Sequence, residues 1–152
     1  GYNIEPSEMG AAFGLVQLNK LDHNITEREK NFAEMSDFFK QYEEYFVLPK
    51  QLPNSRTGWL ALALTIRDSA PFKRTEMQIF LEKRNIQTRT VFTGNILRQP
   101  GFKNVECKRS SAGYAESDKV MRGGMLLACH HGLTRPMIDY MKENISAFMA
   151  SV

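Results

Sequence analysis

The stretch 57-TGWLALALTI-66 decides how the middle of the chain folds. It is an apolar run of strand length, and the segment 47-VLPKQLPNSR-56, with two prolines, interrupts any regular structure before it. We predict a strand that is buried on both faces, although the alanines and leucines of this run also suit a helix.

Helical patterns precede this strand, and shorter elements follow it. Segments 7–22 and 26–45 carry apolar residues at helical spacing, and Thr26 and Glu29 are placed to form a capping box that starts the second helix. Helices before the strand and alternating strands and helices after it predict an α+β domain with about three strands covered by helices. The later elements are a helix after 68-DSAP-71 that Asn85 closes, a strand at 87–92, a short helix ending at Arg122, an apolar segment at 123–131, and a helix at 133–149 with Thr134 as its N-cap and Pro136 in its first turn.

Length and composition are those of an ordinary globular domain. The 152 residues suit one domain, with 42% hydrophobic and 24% charged residues. No apolar run of about 18 residues suggests a membrane span, and no secretory signal opens the sequence. Cys107 and Cys129 lack C-x-x-C spacing, so we expect reduced thiols and a cytoplasmic location. The opening residues lack an initiator methionine, and we expect them to continue a longer polypeptide.

The net charge of +3 hides an asymmetry between two parts of the sequence. From Lys83 to Arg135 there are ten Lys or Arg against three Asp or Glu, a local charge of +7, while the rest carries ten against fourteen, or −4. A basic field favours a polyanionic ligand such as a nucleotide, a sugar diphosphate or nucleic acid. Solvated surface lysines explain the same count equally well.

The basic part contains the irregular loop 93-TGNILRQPGF-102. An arginine fork matches phosphate oxygens, and side-chain amides offer paired donors and acceptors for hydroxyls or a base edge. Arg89, Asn95, Arg98 and Gln99 are therefore candidate ligand-binding residues. The simpler alternative is that these groups are solvated and that Arg98 pairs with a surface carboxylate.

Cys129, His130 and His131 suggest a metal site, but adjacent residues of a strand point to opposite faces. Three consecutive side chains cannot converge on one tetrahedral ion, so we expect no metal site. His131, followed by Gly132, is better suited to hydrogen-bond a ligand, or the turn that follows it, and a partly buried histidine satisfied within the chain explains it equally well. No serine-histidine-aspartate order, phosphate loop or dinucleotide motif is present.

Two longer motifs carry a resemblance to a known family. The opening 1-GYNIEPSEMGAAFGLVQLNKLD-22 resembles a segment of the DegT/StrS family of pyridoxal-phosphate-dependent sugar aminotransferases and dehydratases, which follows the large cofactor domain. The stretch 86-IQTRTVFTGNILRQPGF-102 is similar to the branch that includes the CDP-4-keto-6-deoxyglucose 3-dehydratases, as are 117-SDKVM-121 and 132-GLT-134. His130-His131 departs from the aromatic and proline expected there, which leaves dehydratase and aminotransferase both open.

The resemblance implies the small C-terminal domain of a fold-type I enzyme that uses pyridoxal phosphate (PLP). Residues 1–48 would form a helical segment linking from the large PLP domain, and 49–152 the α+β domain. It implies a nucleotide-diphosphate keto-sugar as substrate, in lipopolysaccharide, O-antigen or related glycan biosynthesis. It makes Arg89, Asn95, Arg98, Gln99 and His131 substrate-binding candidates, and Asn3 a contact to the PLP phosphate of a second subunit in a dimer. The simpler alternative for Asn3 is that it caps the first helix.

The same resemblance implies that catalysis depends on residues outside this sequence. The family's Schiff-base lysine, or the histidine that replaces it, lies in the large domain, so we expect the isolated chain to be inactive. A rival is a binding or assembly module derived from the family that lost catalysis. A nucleic-acid binder is a more distant rival, because the sequence lacks the stacked aromatic platform that such proteins often use.

Overall fold

A computed structural model describes residues 4–152 as five α-helices and a four-stranded antiparallel sheet. The sequence-based assignment to the α+β class is confirmed. The helices are α1 (Glu8–Asn19), α2 (Leu21–Phe39), α3 (Arg74–Glu82), α4 (Ala115–Gly123) and α5 (Arg135–Met149). The strands are β1 (Phe46–Val47), β2 (Ala61–Ile66), β3 (Thr88–Thr90) and β4 (Gly124–Ala128), and short 3-10 turns span Lys40–Tyr42, Ile96–Arg98 and Pro100–Phe102.

The strand order is β1-β2-β4-β3, so the two most apolar strands lie at the centre. Ala61 pairs with Ala128 and Leu64 with Met125 between β2 and β4, and Arg89 pairs with Leu126 between β3 and β4. Three strands fall inside segments predicted from sequence. The fourth, β1, starts just before the proline-containing segment and pairs with the far end of β2.

The core lies on one face of this sheet. Leu62, Leu64 and Ile66 alternate along β2 and are buried together with residues of α2, α3 and α5, whereas Ala61 and Ala63 are only half-buried. The prediction that β2 is buried on both faces is therefore wrong for this chain. The reason is topological, because the helices that supply the core pack against the same face. The other core residues from these helices are Phe32, Met35, Phe39, Met77, Leu81, Ile138, Met141, Ile145, Phe148 and Met149.

The start of α2 differs from the sequence-based prediction. The helix begins at Leu21, and the hydroxyl of Thr26 donates to the carbonyl oxygen of Asp22 at 2.9 Å inside it, so Thr26 caps nothing. Propagating an existing helix costs less than starting a new one, and only Lys20 separates α1 from α2. Because α2 and β1 share the core with later strands, the division at residue 48 stays a prediction.

The ends of α3 and α5 follow the local signals in the sequence. Asn85 has a φ of 58° and stops α3, as expected of a residue that tolerates the left-handed region. Thr134 is the N-cap position of α5, and Pro136 lies in its first turn.

Helix α1 is apolar, yet none of its residues is buried. Its exposed side chains include Met9, Phe13, Leu15, Val16 and Leu18. Exposed apolar patches of this kind mark interaction surfaces in soluble domains. Within residues 4–152, no helix combines the length and apolar character needed to cross a membrane.

Candidate functional site

The loop predicted to bind ligand connects β3 to α4 and begins with a tight turn over residues 91–94. The N–H of Gly94 donates to the carbonyl oxygen of Val91 at 3.0 Å. Gly94 has a φ of 63°, and a Cβ built there would lie 2.4 Å from the Cβ of Met121 in α4. Only glycine meets both conditions without strain, so this residue type lets the loop approach α4 closely.

Asp118, in the first turn of α4, holds two of the predicted residues together. Arg98 donates to it through Nε at 3.1 Å and Nη2 at 2.8 Å, and the Asn95 side-chain amide donates to Oδ1 at 2.7 Å. Asn95 is buried, and its Oδ1 accepts the N–H of Leu97 at 3.1 Å. Both polar atoms of Asn95 are thus engaged inside the chain, and its direct contact with a substrate stays a prediction.

The arrangement around Asp118 perturbs its titration strongly. Hydrogen bonds from the Arg98 guanidinium and then from Asn95 lower the pKa of the Asp118 carboxyl from 3.8 to about 2. The same pairing raises the pKa of Arg98. The ion pair therefore persists across the neutral range, and the loop stays attached to α4 there.

We expect this attachment to be lost in acid. A carboxyl with a depressed pKa stabilises the fold above its unfolded value, 3.8, and loses that contribution as the pH falls towards about 2. The difference in urea midpoint between the unaltered chain and Asp118→Asn should be constant above about pH 5 and shrink between about pH 4 and 2. A difference that stays constant down to pH 2 would contradict this coupling.

The other predicted residues lie at different places around the loop. Gln99 donates through Nε2 to the carbonyl oxygen of Thr93 at 2.9 Å and so braces the turn. Arg89 is exposed and borders a cavity of about 710 Å³ on the open face of the sheet, opposite the core. His131 is exposed, and the histidine that lines this cavity is its neighbour His130.

His130 was not predicted from sequence as a ligand-binding residue. The strand alternation that places Cys129 in the core puts His130 on the opposite, open face. Its Nδ1 accepts the N–H of Gly132 at 3.1 Å, which leaves Nε2 as the donor of the neutral ring. Asn31 of α2 donates to the His130 carbonyl oxygen at 2.9 Å and fixes the backbone here.

A smaller cavity of about 330 Å³ is bordered by the 91–94 turn together with Gln99 and Met121. Arg74 also lines it, and its Nη1 donates to the carbonyl oxygens of Met121 and Gly124 at 2.9 and 3.1 Å. The Nε of Arg74 is buried without a hydrogen-bond partner among the described residues. The two cavities share Thr90 and Phe92, and an arginine borders each of them.

The chemistry available at this site is binding. Burial raises the pKa of the Cys129 thiol to about 11, so that group is neither a nucleophile nor a ready metal ligand at neutral pH. No cluster of three or more His, Cys, Asp or Glu able to hold a metal ion occurs in residues 4–152. Arginine forks and amide groups around two cavities are instead suited to phosphates and hydroxyls.

Comparison with known protein families shows to which family the chain belongs. The profile of the DegT/DnrJ/EryC1/StrS aminotransferase family matches residues 1–146. The chain belongs to this family. The resemblance to this family that the sequence motifs carry is thereby confirmed, while the branch within the family stays a prediction.

Named members of the family show how much of a whole enzyme the chain represents. It is 35% identical over 150 residues to the dTDP-4-dehydro-2,6-dideoxy-D-glucose 3-dehydratase of Saccharopolyspora spinosa, covering 99% of this chain and 32% of that protein. It is 30% identical over 148 residues to the lipopolysaccharide biosynthesis protein RfbH of Salmonella typhimurium, covering 97% and 34%. The chain thus spans about a third of the length of these curated relatives.

A solved structure supports the same fold assignment. The GDP-4-keto-6-deoxy-D-mannose-3-dehydratase of E. coli with bound hydrated PLP superimposes with a TM-score of 0.84 at 25% identity, covering 95% of this chain and 36% of that one. The α+β domain therefore has the fold of one part of a fold-type I PLP enzyme. Asn3, the predicted cofactor contact, lies outside the described residues, and its role stays a prediction.

Proposed function

We propose that this chain is the C-terminal part of a PLP-dependent aminotransferase or dehydratase that acts on a nucleotide-linked keto-sugar in lipopolysaccharide, O-antigen or related glycan biosynthesis. The observation that carries the proposal is the loop held to α4 through Asn95, Asp118 and Arg98, beside a cavity bordered by Arg89 and His130, in a chain of this family. The relatives named above include 3-dehydratases of nucleotide-linked sugars.

The Arg98–Asp118 pair suits phosphate binding because it orients the guanidinium and leaves part of it free. Asp118 occupies Nε and one N–H of Nη2, while 63% of the Arg98 side chain remains exposed. Nη1 and the second N–H of Nη2 are the remaining donors of the fork. A diphosphate oxygen docking there would meet a guanidinium that is already held in place, so less side-chain entropy is lost on binding.

We propose that the PLP of the full enzyme is held largely by protein outside this chain. Bound PLP would supply the electron sink for chemistry beside the sugar carbonyl, and the lysine or the histidine that serves it in this family would come from that other protein. Among the described residues, the cavity-lining Lys73 and Lys83 are exposed and so lack the desolvated setting that activates a lysine. Asn3 would contribute a contact to the cofactor phosphate of a second subunit, so the proposed enzyme is a dimer. The free thiols Cys107 and Cys129 fit a cytoplasmic enzyme.

Helix α1 supplies the surface on which the rest of the enzyme would dock. Its apolar side chains are exposed on several sides, and within residues 4–152 its main contacts are with α2. Burying such a helix against a larger domain would remove this apolar area from water. In this proposal the chain contributes substrate-binding groups on the loop and packing contacts through α1.

A titration followed by NMR tests the substrate-binding role. We expect GDP-linked and dTDP-linked hexoses to shift the amide resonances of Arg89, Asn95, Arg98 and Gln99 and the ring resonances of the neighbouring histidines, at sugar-nucleotide concentrations from micromolar to millimolar. Residues of α5, on the core face, serve as an internal control. Shifts confined to α5, or no shift at millimolar concentration, would contradict the proposed site.

A further inference from the structure

Phe92 has the most exposed aromatic side chain within residues 4–152, with 86% of its area in solvent. It also has a φ of 46°, in the left-handed region that bulky side chains avoid. Among the non-glycine residues of the described chain, only Asn85 shares this feature, and asparagine tolerates that conformation. An exposed phenylalanine in a disfavoured conformation is not explained by packing within the chain.

Hydrogen bonds hold the Phe92 backbone in this conformation. Its N–H donates to the carbonyl oxygen of Thr90 at 2.9 Å, and the Thr90 hydroxyl donates to the carbonyl oxygen of Phe92 at 3.1 Å. The following Gly94 is fixed against α4, and Gln99 braces Thr93. The ring is therefore presented to solvent from a rigid turn, and strain that surrounding contacts maintain is characteristic of functional positions.

The surroundings of Phe92 indicate what its ring contacts. It lines both the 710 Å³ cavity, with Arg89 and His130, and the 330 Å³ cavity, with Arg74. None of the described residues that line either cavity carries a carboxylate. An exposed aromatic ring between two cavities bordered by cations suits a ligand that combines a planar ring with an anion.

We propose that Phe92 stacks on the base of the nucleotide-linked substrate while Arg89, which lines the same cavity, faces its phosphates, an inference that rests on the proposed function. Base–aromatic stacking tolerates different bases, because every base has a π-face. Phe92 therefore strengthens binding of the nucleotide portion without selecting among nucleotides. Selection of the base requires hydrogen bonds from other groups.

Binding of GDP, dTDP and inorganic pyrophosphate to the 152-residue chain, measured by calorimetry or NMR, tests this assignment. Phe92→Leu keeps an apolar side chain but removes the ring, and we expect it to weaken binding of both nucleotides about tenfold. Pyrophosphate has no base, so its affinity should not change. Phe92→Trp should bind both nucleotides at least as tightly as the unaltered chain.

A second variant distinguishes the loss of the Phe92 ring from a change in the conformation of the turn. Phe92→Asn suits the left-handed backbone, so it keeps the turn and should lose nucleotide binding as Phe92→Leu does. Equal nucleotide affinity for the unaltered chain and Phe92→Leu would overturn the stacking role and leave the proposed function standing. A parallel loss of pyrophosphate binding would also overturn it, because the ring would then act through the loop fold. If the unaltered chain binds neither nucleotide, both proposals fail.

Discussion

Gly123→Ala should lower the free energy of unfolding by about 3 kcal/mol, at the upper end of what overpacking a close-packed site usually costs. Gly123 ends α4 and is buried, and a Cβ built there would lie 2.4 Å from the carbonyl oxygen of Ile66 and 3.2 Å from its backbone nitrogen. The obstacle is the main chain of β2, which cannot rotate away as a side chain can. Urea unfolding followed by far-UV circular dichroism measures the change.

Gly101→Ala is the matched control for this experiment. Gly101 lies in the 3-10 turn of Pro100–Phe102, its φ is not positive, and no atom lies within 4 Å of a Cβ built there. We expect its effect to stay within about 0.5 kcal/mol, as for most surface changes. Equal midpoints for the two variants would show that β2 and the end of α4 do not approach each other as closely as described.

Arg98→Ala should weaken binding of a nucleotide-linked sugar at least about tenfold, since a charge-assisted contact contributes on the order of 1.5 to 3 kcal/mol. The substitution removes the fork and also leaves the Asp118 carboxylate without its main partner. That carboxylate would then repel a diphosphate from the same site. Arg98→Lys should restore only part of the affinity, because a point charge lacks the bidentate geometry. Calorimetric titration of the chain with a GDP-linked hexose measures these constants.

Two further variants distinguish the loss of the Arg98 contact from repulsion by Asp118 and from a general loss of positive charge. Arg98→Ala combined with Asp118→Asn should bind more tightly than Arg98→Ala alone, because it removes the uncompensated carboxylate. Arg56→Ala is the charge-matched control, since Arg56 forms a two-point pair with Glu29 and its side chain is 62% exposed, against 63% for Arg98. A change below about twofold for Arg98→Ala, equal to that for Arg56→Ala, would remove Arg98 from the site.

The sequence predicted elements whose signals are local. Apolar spacing predicted α2, α3 and α5, since each needs one buried stripe, and Asn85 and Pro136 mark helix ends through their own backbone preferences. The loop at 93–102 is recognisable because its two glycines and its proline interrupt the helix and strand patterns, although short 3-10 turns form within it. Two sequence motifs carry the resemblance to the DegT/StrS family, and the match over residues 1–146 confirms the family.

Long-range contacts decided the rest. No local pattern pairs Asp118 with Arg98 across twenty residues, although 117-SDKVM-121 had been noted as a motif. Which face of β2 is covered, and hence whether His130 or His131 borders the open cavity, depends on where the helices pack. By itself the sequence determined most of the helices and the loop, because backbone preference and periodicity act over a few residues, while the family came from the resemblance of two motifs. The carboxylate that holds the loop, the open face and the exposed ring of Phe92 came only from the tertiary structure, since strand pairing and helix packing join residues far apart in the chain.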